Sequence, residues 1–412
     1  MHIVLDISRL IGLAWAGQPR GLDRVEFAHA RHWRQLAAQD VTFVAQSPWG
    51  WFSALPDSLA RGLLLEADTA VAPGKEGMIT RFRAMAAAAL SFKFWGMGRR
   101  DLAQRLVRRR DSVFLMVSHG ALNDERGIGG LVKLGARFVP LLHDLIPITH
   151  PQFAAPIHTQ QHSEGMALVA RSAAGVMVSS QATGEALRRH LMRTQQPLPR
   201  MAMVGLGLNL PIPRTRLAPA AGQPYFVVVS AIEPRKNQLL LLQIWQEFAR
   251  QGLTEAPRLL IIGHRPGKHD QLYDLLDRGD FGGLVEECGR LPDLEVARLV
   301  QGAAAMLCPS FVEGFGLPLA ESLSLGTPVI ASDIAAAREV GQGVPDYVHP
   351  LDFMGWRRAI LDMATPHSPL RAAQLARLRD WQAPSWSRHF ETTEDFLRQI
   401  AASHVTAFHR SA

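Results

Sequence analysis

The sequence has few cysteines and no long apolar run. Cys288 and Cys308 are the only cysteines in 412 residues, and they do not form a Cys-x-x-Cys pair. This composition argues against a disulfide framework or a cysteine-rich zinc site and favours a reducing compartment. The longest apolar stretches, 84–92 and 225–232, fall well short of the roughly 20 residues of a membrane-spanning helix. The first residues, MHIVLDISRL, lack the basic start of a signal peptide and are typical of a strand. We therefore expect a cytoplasmic protein that does not cross a membrane.

Short apolar runs alternate with amphipathic segments along the chain. Hydrophobic residues make up 47% and charged residues 20% of the sequence, as in a globular protein, and the length suits two domains. The runs are 2–7, 41–45, 112–118, 137–144, 175–180 and 201–207 in the first half, and 225–231, 258–263, 284–289, 304–310, 328–333 and 346–350 in the second. Continuous apolar strands between helices predict parallel sheets covered on both faces.

A proline-rich segment at 209–224 separates the two series and is typical of a linker. We therefore predict an α/β protein with two Rossmann-like, doubly wound domains, an N-terminal one over 1–212 and a C-terminal one over 213–385. A helix at 386–404 would pack back on the first domain. Ligands of such sheets bind beyond the carboxyl ends of the strands, so a cleft between the domains is expected.

The formal charge of +7 is concentrated in residues 81–110, which hold nine Arg or Lys and one Asp, interleaved with aromatic residues. One interpretation is a solvated helical face with some core aromatics. Another is a surface that meets anionic lipid headgroups and inserts aromatic side chains, which would place the protein peripherally on the inner face of the cytoplasmic membrane. No nucleic-acid-binding module accompanies the charge, so we expect no nucleic-acid partner.

The stretch PSFVEGFGLPLAES at 309–322 is predicted to join a buried strand to a helix through a glycine-bearing turn. Pro318 lies near the first turn of the helix and Gly326 beyond its end. Glycines allow successive N–H groups to point at one spot, which forms a cradle suited to phosphate. Glu313 stands at the strand end and Glu321 one turn inside the helix. The alternative is an ordinary turn with two surface carboxylates.

At this point the sequence resembles a known family. EGFGLPLAE is similar to the E-x7-E signature of the family-4, or group 1, retaining glycosyltransferases of GT-B fold, especially bacterial polysaccharide mannosyltransferases. Further segments resemble that family: RGLDRVE (20–26), HDLIPITHPQF (143–153), SSQATGEAL (179–187), SAIEPRKNQLLLL (230–242), and the run from VEECGRLP to AREVGQG. The resemblance covers most of the chain and is strongest over 225–350.

The resemblance implies a role for each matching residue of the second domain. Glu313 would lie under the donor sugar as the catalytic carboxylate, and Glu321 would bind the ribose hydroxyls. Main-chain groups near Leu291, in GRL, would meet the base. The donor diphosphate would be bound by these residues: Arg235, Lys236, Gly21, Gly314, Phe315 and Gly316. Cations and N–H dipoles aimed at a departing diphosphate lower the barrier to its departure. Many family members have an arginine six residues before the lysine, and here that residue is Ser230. How much Arg235 contributes to diphosphate binding in its place is left open.

The first domain offers His143 after a buried strand, in LLHDLIP. A lone histidine is often a satisfied core group, but at a strand's carboxyl end it would face the cleft, and we predict that it contacts the donor sugar. Asp144 would orient His143 or the acceptor. His119 ends the preceding strand, and Arg24 would support the loop at Gly21.

No aspartate pair or metal-ligand spacing is present, so we expect no metal and no cofactor. Arg235, Lys236 and the helix dipole would take the place of a metal. Retention would follow from same-face attack, with the leaving phosphate oxygen accepting the acceptor's proton; a covalent route would use Glu313 as nucleophile.

The resemblance implies a retaining hexosyltransferase that serves cell-surface polysaccharide synthesis, such as lipopolysaccharide or exopolysaccharide. Its donor would be GDP-mannose, ahead of UDP-glucose and dTDP-rhamnose, and its acceptor a glycan or a lipid-linked oligosaccharide. Two alternatives remain. One is a GT-B-like sugar-nucleotide epimerase, and the other is a non-catalytic sugar-nucleotide-binding protein at the membrane surface.

Overall fold

A computed structural model describes residues 1–16, 21–70, 79–213, 223–253, 255–267 and 269–403. The chain divides into two compact units, of which the second is Gly207–Ser385. The first unit comprises Met1–Leu206 together with the C-terminal segment that begins at Trp386. The division follows Leu206, a few residues before the expected boundary at 212. Much of the expected linker, 214–222, lies outside the described residues.

The sheet of the first unit has the described strands in the order β3-β2-β1-β4-β5-β6-β7. They are β1 (His2–Asp6), β2 (Val41–Gln46), β3 (Phe52–Ala54), β4 (Ser112–Met116), β5 (Arg137–Leu142), β6 (Val176–Val178) and β7 (Met201–Met203). All neighbours pair in parallel except β2 and β3. Every residue of β1, β4 and β5 is buried, as expected for strands covered on both faces.

Helices surround this sheet. They are α1 (Ser8–Ala16), α2 (Gly21–Trp33), α3 (Asp57–Ala70), α4 (Ile79–Phe94), α5 (Arg99–Arg108), α6 (Glu125–Lys133), α7 (Ile146–Thr149), α8 (Pro156–Ser172) and α9 (Gln181–Arg193). A short 3-10 helix spans Pro151–Phe153.

The second unit repeats this architecture with strand order β10-β9-β8-β11-β12-β13, all neighbours parallel. The strands are β8 (Tyr225–Val229), β9 (Arg258–Ile262), β10 (Val285–Gly289), β11 (Ala305–Cys308), β12 (Val329–Ser332) and β13 (Asp346–Val348). The helices are α10 (Gln238–Arg250), α11 (Asp270–Arg278), α12 (Asp293–Gly302), α13 (Leu317–Ser324), α14 (Ala335–Gly341), α15 (Phe353–Ala364) and α16 (Pro369–Arg377), with 3-10 helices at Pro234–Lys236 and Leu378–Asp380.

Helix α10 illustrates how the sequence determines the packing of the second unit. Its residues Leu241, Ile244, Trp245 and Phe248 recur at helical spacing and are fully buried, so one apolar stripe faces the sheet. The indole N–H of Trp245 is satisfied by the carbonyl oxygen of Pro257 at 2.7 Å.

The C-terminal helix α17 (Trp386–Ala402) packs on the first unit, against β4 and β7. Phe396 and Ile400 lie so close to Gly175 that an added Cβ would come within 2.7 Å of either side chain. Glycine at this position therefore allows the helix to approach. Among the helices in the described ranges, none combines the length and apolarity needed to cross a bilayer.

Candidate active site

The best-defined cluster of functional side chains lies in the second unit, where two adjacent parallel strands end. β8 leads into the 3-10 turn that carries Arg235 and Lys236, and β11 leads into the loop that carries Glu313. Because β8 and β11 are neighbours, their carboxyl ends meet at one edge of the sheet, which is the ligand-binding edge of such folds.

Glu313 is held by three donors in this cluster. Lys236 Nζ donates to Glu313 Oε1 at 2.5 Å, Ser310 Oγ donates to the same oxygen at 2.6 Å, and Arg235 Nη1 donates to Oε2 at 3.2 Å. The side chain of Glu313 is 19% exposed. It is therefore a positioned, half-buried carboxylate rather than one of the two surface carboxylates of the alternative interpretation.

The charges of this cluster determine the protonation states of the Glu313 carboxyl and the Cys308 thiol. Burial favours the neutral acid, but Lys236 and Arg235, together with the hydrogen bonds, outweigh it and lower the pKa of Glu313 to about 2. Burial and the adjacent Glu313 raise the pKa of the Cys308 thiol to about 12, so this cysteine stays protonated and unreactive.

Arg235 joins the two loops of the site. Its Nη1 also donates to the carbonyl oxygen of Val312 at 3.0 Å, and its Nη2 donates to Glu233 Oε1 at 2.6 Å. Its own carbonyl accepts from the N–H of Phe311 at 3.0 Å. These contacts show that Arg235 also holds the loops of the site together, whereas the ammonium group of Lys236 donates to Glu313.

The turn after Glu313 opens helix α13. Gly316 adopts φ of 102°, a left-handed conformation that favours glycine, and precedes the first helical residue. Phe315 is buried and Gly314 half-buried. Glu321 lies half-buried within α13. The N–H groups of the first helical turn therefore begin beside the Lys236–Glu313 pair, as an anion cradle requires.

Ser230, where the family resemblance led us to expect an arginine, lines the same small cavity as Lys236, Glu313 and Gly316. Its hydroxyl accepts from Nε2 of Gln238 at 2.9 Å. Gln238 is fully buried and also donates to the carbonyl oxygen of Ala231. Sequence reasoning missed Gln238, because a glutamine at the start of an amphipathic helix looks solvent-exposed.

Leu291, the predicted base-contacting residue, follows β10 at the same edge of the sheet and is half-buried. Gly289, two residues before Leu291, has φ of 67°. Its carbonyl oxygen accepts from the N–H of Gly263 at 2.8 Å.

His143 lies in the first unit at the end of β5 and is 6% exposed. Its Nε2 donates to the carbonyl oxygen of Val117 at 2.8 Å, and its backbone N–H donates to His119 Nε2 at 2.9 Å. Burial lowers the pKa of both histidines, so His143 is neutral at pH 7 and Nδ1 is its remaining acceptor. Asp144 Oδ1 accepts instead from the N–H of Ile146 at 2.9 Å.

Gly21 is the exposed first residue of α2, and Arg24 lies in the same helix. Gly21 and His143 belong to the first unit and the Glu313 cluster to the second.

Two buried acids of the first unit were not predicted as site residues. Asp6, at the end of β1, accepts from the N–H and hydroxyl of Ser8, and Glu26 accepts from the N–H of Leu10 at 2.6 Å. Burial raises the pKa of both carboxyls, and Asp6 raises that of Glu26 further. Within the described residues, no group of three or more His, Cys, Asp or Glu could hold a metal ion.

Each of the two units is a mostly parallel sheet flanked by helices, as in the GT-B fold, and the fold comparison agrees. The chain superposes on Anabaena Alr3699/HepE in complex with UDP with a TM-score of 0.60, at 15% identity, over 96% of this chain and 99% of that one. It superposes on sucrose-phosphate synthase from Thermosynechococcus elongatus with a TM-score of 0.62, at 16% identity, over 98% and 100%. The predicted fold is therefore confirmed.

Residues 213–342 match the family described as Glycosyl transferases group 1, so the chain carries a domain of that family. It is 37% identical over 120 residues to O-antigen chain mannosyltransferase B of Escherichia coli, covering 29% of this chain and 31% of that protein. It is 29% identical over 198 residues to D-inositol 3-phosphate glycosyltransferase of Nocardia farcinica, covering 46% and 43%. The chain thus spans less than half the length of these curated relatives. The predicted family resemblance is confirmed.

Proposed function

We propose that the protein is a retaining hexosyltransferase that moves mannose from GDP-mannose to a glycan or a lipid-linked acceptor in cell-surface polysaccharide synthesis. The observation that carries the proposal is the ion-paired Glu313 beside Lys236 and the Gly316 turn. The names of mannosyltransferase relatives support mannose as the sugar.

In this proposal the donor diphosphate binds where Lys236 and the first N–H groups of α13 converge. Charge grows on the diphosphate as the glycosidic bond breaks, so a fixed cation and N–H dipoles stabilise the transition state more than the ground state. Arg235 holds the loops in place and adds positive charge. These groups would act without a metal. Glu321 would accept hydrogen bonds from the ribose hydroxyls, and main-chain groups near Leu291 would meet the base.

Glu313 would act as a fixed negative charge under the sugar rather than as a nucleophile. Both of its oxygens accept charge-assisted hydrogen bonds, and its pKa is lowered to about 2. A carboxylate held in this way is a weak base and a weak nucleophile. We therefore favour same-face attack, in which the leaving phosphate oxygen takes the acceptor's proton, over the covalent route.

The same reasoning disfavours the epimerase alternative. That reaction needs an acid and a base at the sugar, and the candidates were Glu313 and His143. Glu313 has a pKa far below neutrality, and Nε2 of His143 is occupied by the carbonyl oxygen of Val117. His143 would instead position the donor sugar through Nδ1.

A donor panel followed by an acceptor test would check the proposal. GDP-mannose at 100 times its dissociation constant should stabilise the protein by about 2.7 kcal/mol, more than UDP-glucose or dTDP-rhamnose at equal concentration. Nucleoside diphosphate should then be released only after a mannose-terminated oligosaccharide or lipid-linked mannoside is added. Epimer formation without acceptor would indicate an epimerase, and binding without turnover on any acceptor would indicate a binding protein.

A further inference from the structure

The first unit exposes a contiguous group of large apolar side chains. The exposed fractions are 75% for Trp95, 46% for Trp49, 45% for Met97 and 44% for Phe94. The ring centroids of Trp49 and Phe94 are 4.5 Å apart, and those of Phe94 and Trp95 are 5.5 Å apart. Single exposed apolar residues are ordinary, but a contiguous exposed group usually marks an interaction site.

A rigid turn presents these side chains. The N–H of Met97 donates to the carbonyl oxygen of Phe92, and that of Gly96 donates to Lys93. Gly98 has φ of 83°, and a Cβ there would lie 2.1 Å from the carbonyl oxygen of Ala54. The turn between α4 and α5 therefore packs directly against Ala54 of β3.

Arginines border the aromatic group. Arg99, Arg100 and Arg126 line one open groove together with Trp51, and the guanidinium of Arg99 lies over the Trp51 ring at 4.6 Å. Arg99 and Arg100 open helix α5. Basic residues in the first turn oppose the helix dipole, so helix stability does not account for them.

Three other arginines of the basic segment 81–110 contribute to the fold instead. Arg105 pairs with Asp101 at 2.9 Å, and Arg109 pairs with both Asp40 and Asp111 at 3.2 Å. Arg83 donates to the carbonyl oxygen of Ala14 at 3.0 Å. The solvated-face interpretation suits these three arginines, and the candidate interaction surface consists of residues 94–100 with Trp49 and Arg126.

We propose that this aromatic–arginine surface (Trp49, Phe94, Trp95, Met97, Arg99, Arg100 and Arg126) docks the protein on an anionic bilayer. Tryptophan favours the membrane–water interface, and arginines at the same level bind the phosphates and carboxylates of lipid headgroups. The charge of the surface selects anionic lipid over neutral lipid, and the side chains of Trp95 and Phe94 insert beneath the headgroups. This docking does not depend on the identity of the donor sugar.

Co-sedimentation with vesicles would test the proposal. The full chain should bind phosphatidylcholine vesicles that contain phosphatidylglycerol and not pure phosphatidylcholine. Arg100→Glu/Arg126→Glu should weaken binding about tenfold or more, since each basic residue near an anionic surface contributes on the order of 1 kcal/mol. The matched control, Arg278→Glu/Arg358→Glu, changes the net charge equally at exposed residues of the second unit and should bind as the native protein does.

A second pair of variants tests insertion. Trp95→Ala should lower binding and reduce fluorescence quenching by brominated lipid, whereas Trp15→Ala, at another exposed tryptophan, should do neither. Melting temperatures would show that all variants are folded. Equal binding to both vesicle types, equal losses in the matched controls, or capture of a protein partner by this surface without lipid binding would overturn the proposal.

Discussion

Lys236 and Glu313, 77 residues apart in sequence, form an ion pair with 2.5 Å between Nζ and Oε1. One residue is the proposed phosphate cation and the other the proposed carboxylate under the sugar. Because they bond to each other, the cation also sets the protonation state of the carboxylate. A substitution at either position therefore removes that residue's own proposed contact with the donor and also changes the electrostatic environment of its partner. Experiments must separate these two effects.

Lys236→Ala should weaken binding of the nucleoside diphosphate product as well as that of the donor. A charge-assisted contact contributes roughly 1.5 to 3 kcal/mol, which corresponds to about a 10- to 150-fold loss of affinity. Calorimetry with GDP would measure it, and Lys133→Ala, on helix α6 of the first unit, is the control. Unchanged GDP affinity would remove Lys236 from the phosphate site.

The same substitution should change the pH dependence of turnover. In the native protein the pKa of Glu313 is about 2, so its carboxylate stays charged until the pH falls towards 2. Any stability that this shift contributes is full above the usual glutamate pKa of about 4.5 and is lost as the pH falls from there towards 2. Without Lys236 the effect of burial is opposed by less positive charge, so the pKa rises. We expect the acid limb of kcat in Lys236→Ala to move to higher pH. An acid limb at the native position would show that Lys236 does not control Glu313.

Substitutions of the two glutamates that flank the turn should impair different steps, one nucleotide binding and the other turnover. Glu321→Gln should weaken GDP binding, because the ribose is part of GDP. Glu313→Gln should leave GDP affinity nearly unchanged and lower turnover at saturating donor, where a 100-fold loss corresponds to about 2.7 kcal/mol of barrier. If both variants weaken GDP equally and leave turnover unchanged, the pair serves only to hold the nucleotide.

Turnover should survive EDTA. Lys236, Arg235 and the N–H groups of α13 supply the positive charge that a divalent ion would supply under a diphosphate. The assay compares the turnover rate of the untreated protein with the rate after chelation by EDTA and with the rate after later dialysis against magnesium or manganese. Loss of activity on chelation with recovery on metal addition would contradict this assignment.

Acid should destabilise the first unit through a buried histidine pair. His29 Nε2 and His389 Nε2 lie 2.9 Å apart, and burial lowers the pKa of His389 to about 4 and that of His29 well below its usual value. Between pH 6.5 and 4 the unfolded chain binds protons that the folded pair does not. The free energy of unfolding therefore keeps its full value above pH 6.5. Below that pH each of the two rings lowers it by up to about 1.4 kcal/mol for every unit that the pH falls.

Thermal melts at pH 7.5 and pH 5 would measure this loss. His389→Gln should show a smaller drop between the two pH values than the native protein, whereas His158→Gln, at an exposed position of α8, should show the native drop. An unchanged drop in His389→Gln would contradict the assignment.

The sequence predicts features whose signal is local and misses those that depend on packing. Continuous apolar runs such as 112–118 identify buried strands, but the short edge strand β3 leaves no comparable pattern. Strand β10, at the edge of the sheet that the described residues form, is partly exposed. The EGFG turn and the PRK segment single out Glu313 and Lys236 as candidate site residues. Their mutual ion pair could not be predicted, since it depends on which strand ends become neighbours and which way two side chains point.

The same limit applies to buried polar groups and to charge runs. Asp6, Glu26 and Gln238 look like residues of solvated positions in sequence and are buried in the fold. Within 81–110, only three-dimensional placement separates arginines with acidic partners, such as Arg109, from those at the aromatic surface, such as Arg100.

Because α17 belongs to the first unit, that unit cannot finish folding during synthesis until α17, which follows the whole second unit, has left the ribosome. His29 and Trp33 in α2 depend on Phe390 and His389 for part of their covering. A nascent chain that ends before Trp386 would leave this apolar face open for the whole time taken to make the second unit. Chaperone capture of ribosome-bound chains should therefore persist until α17 emerges, and removal of α17 should impair solubility far more than the loss of one helix suggests.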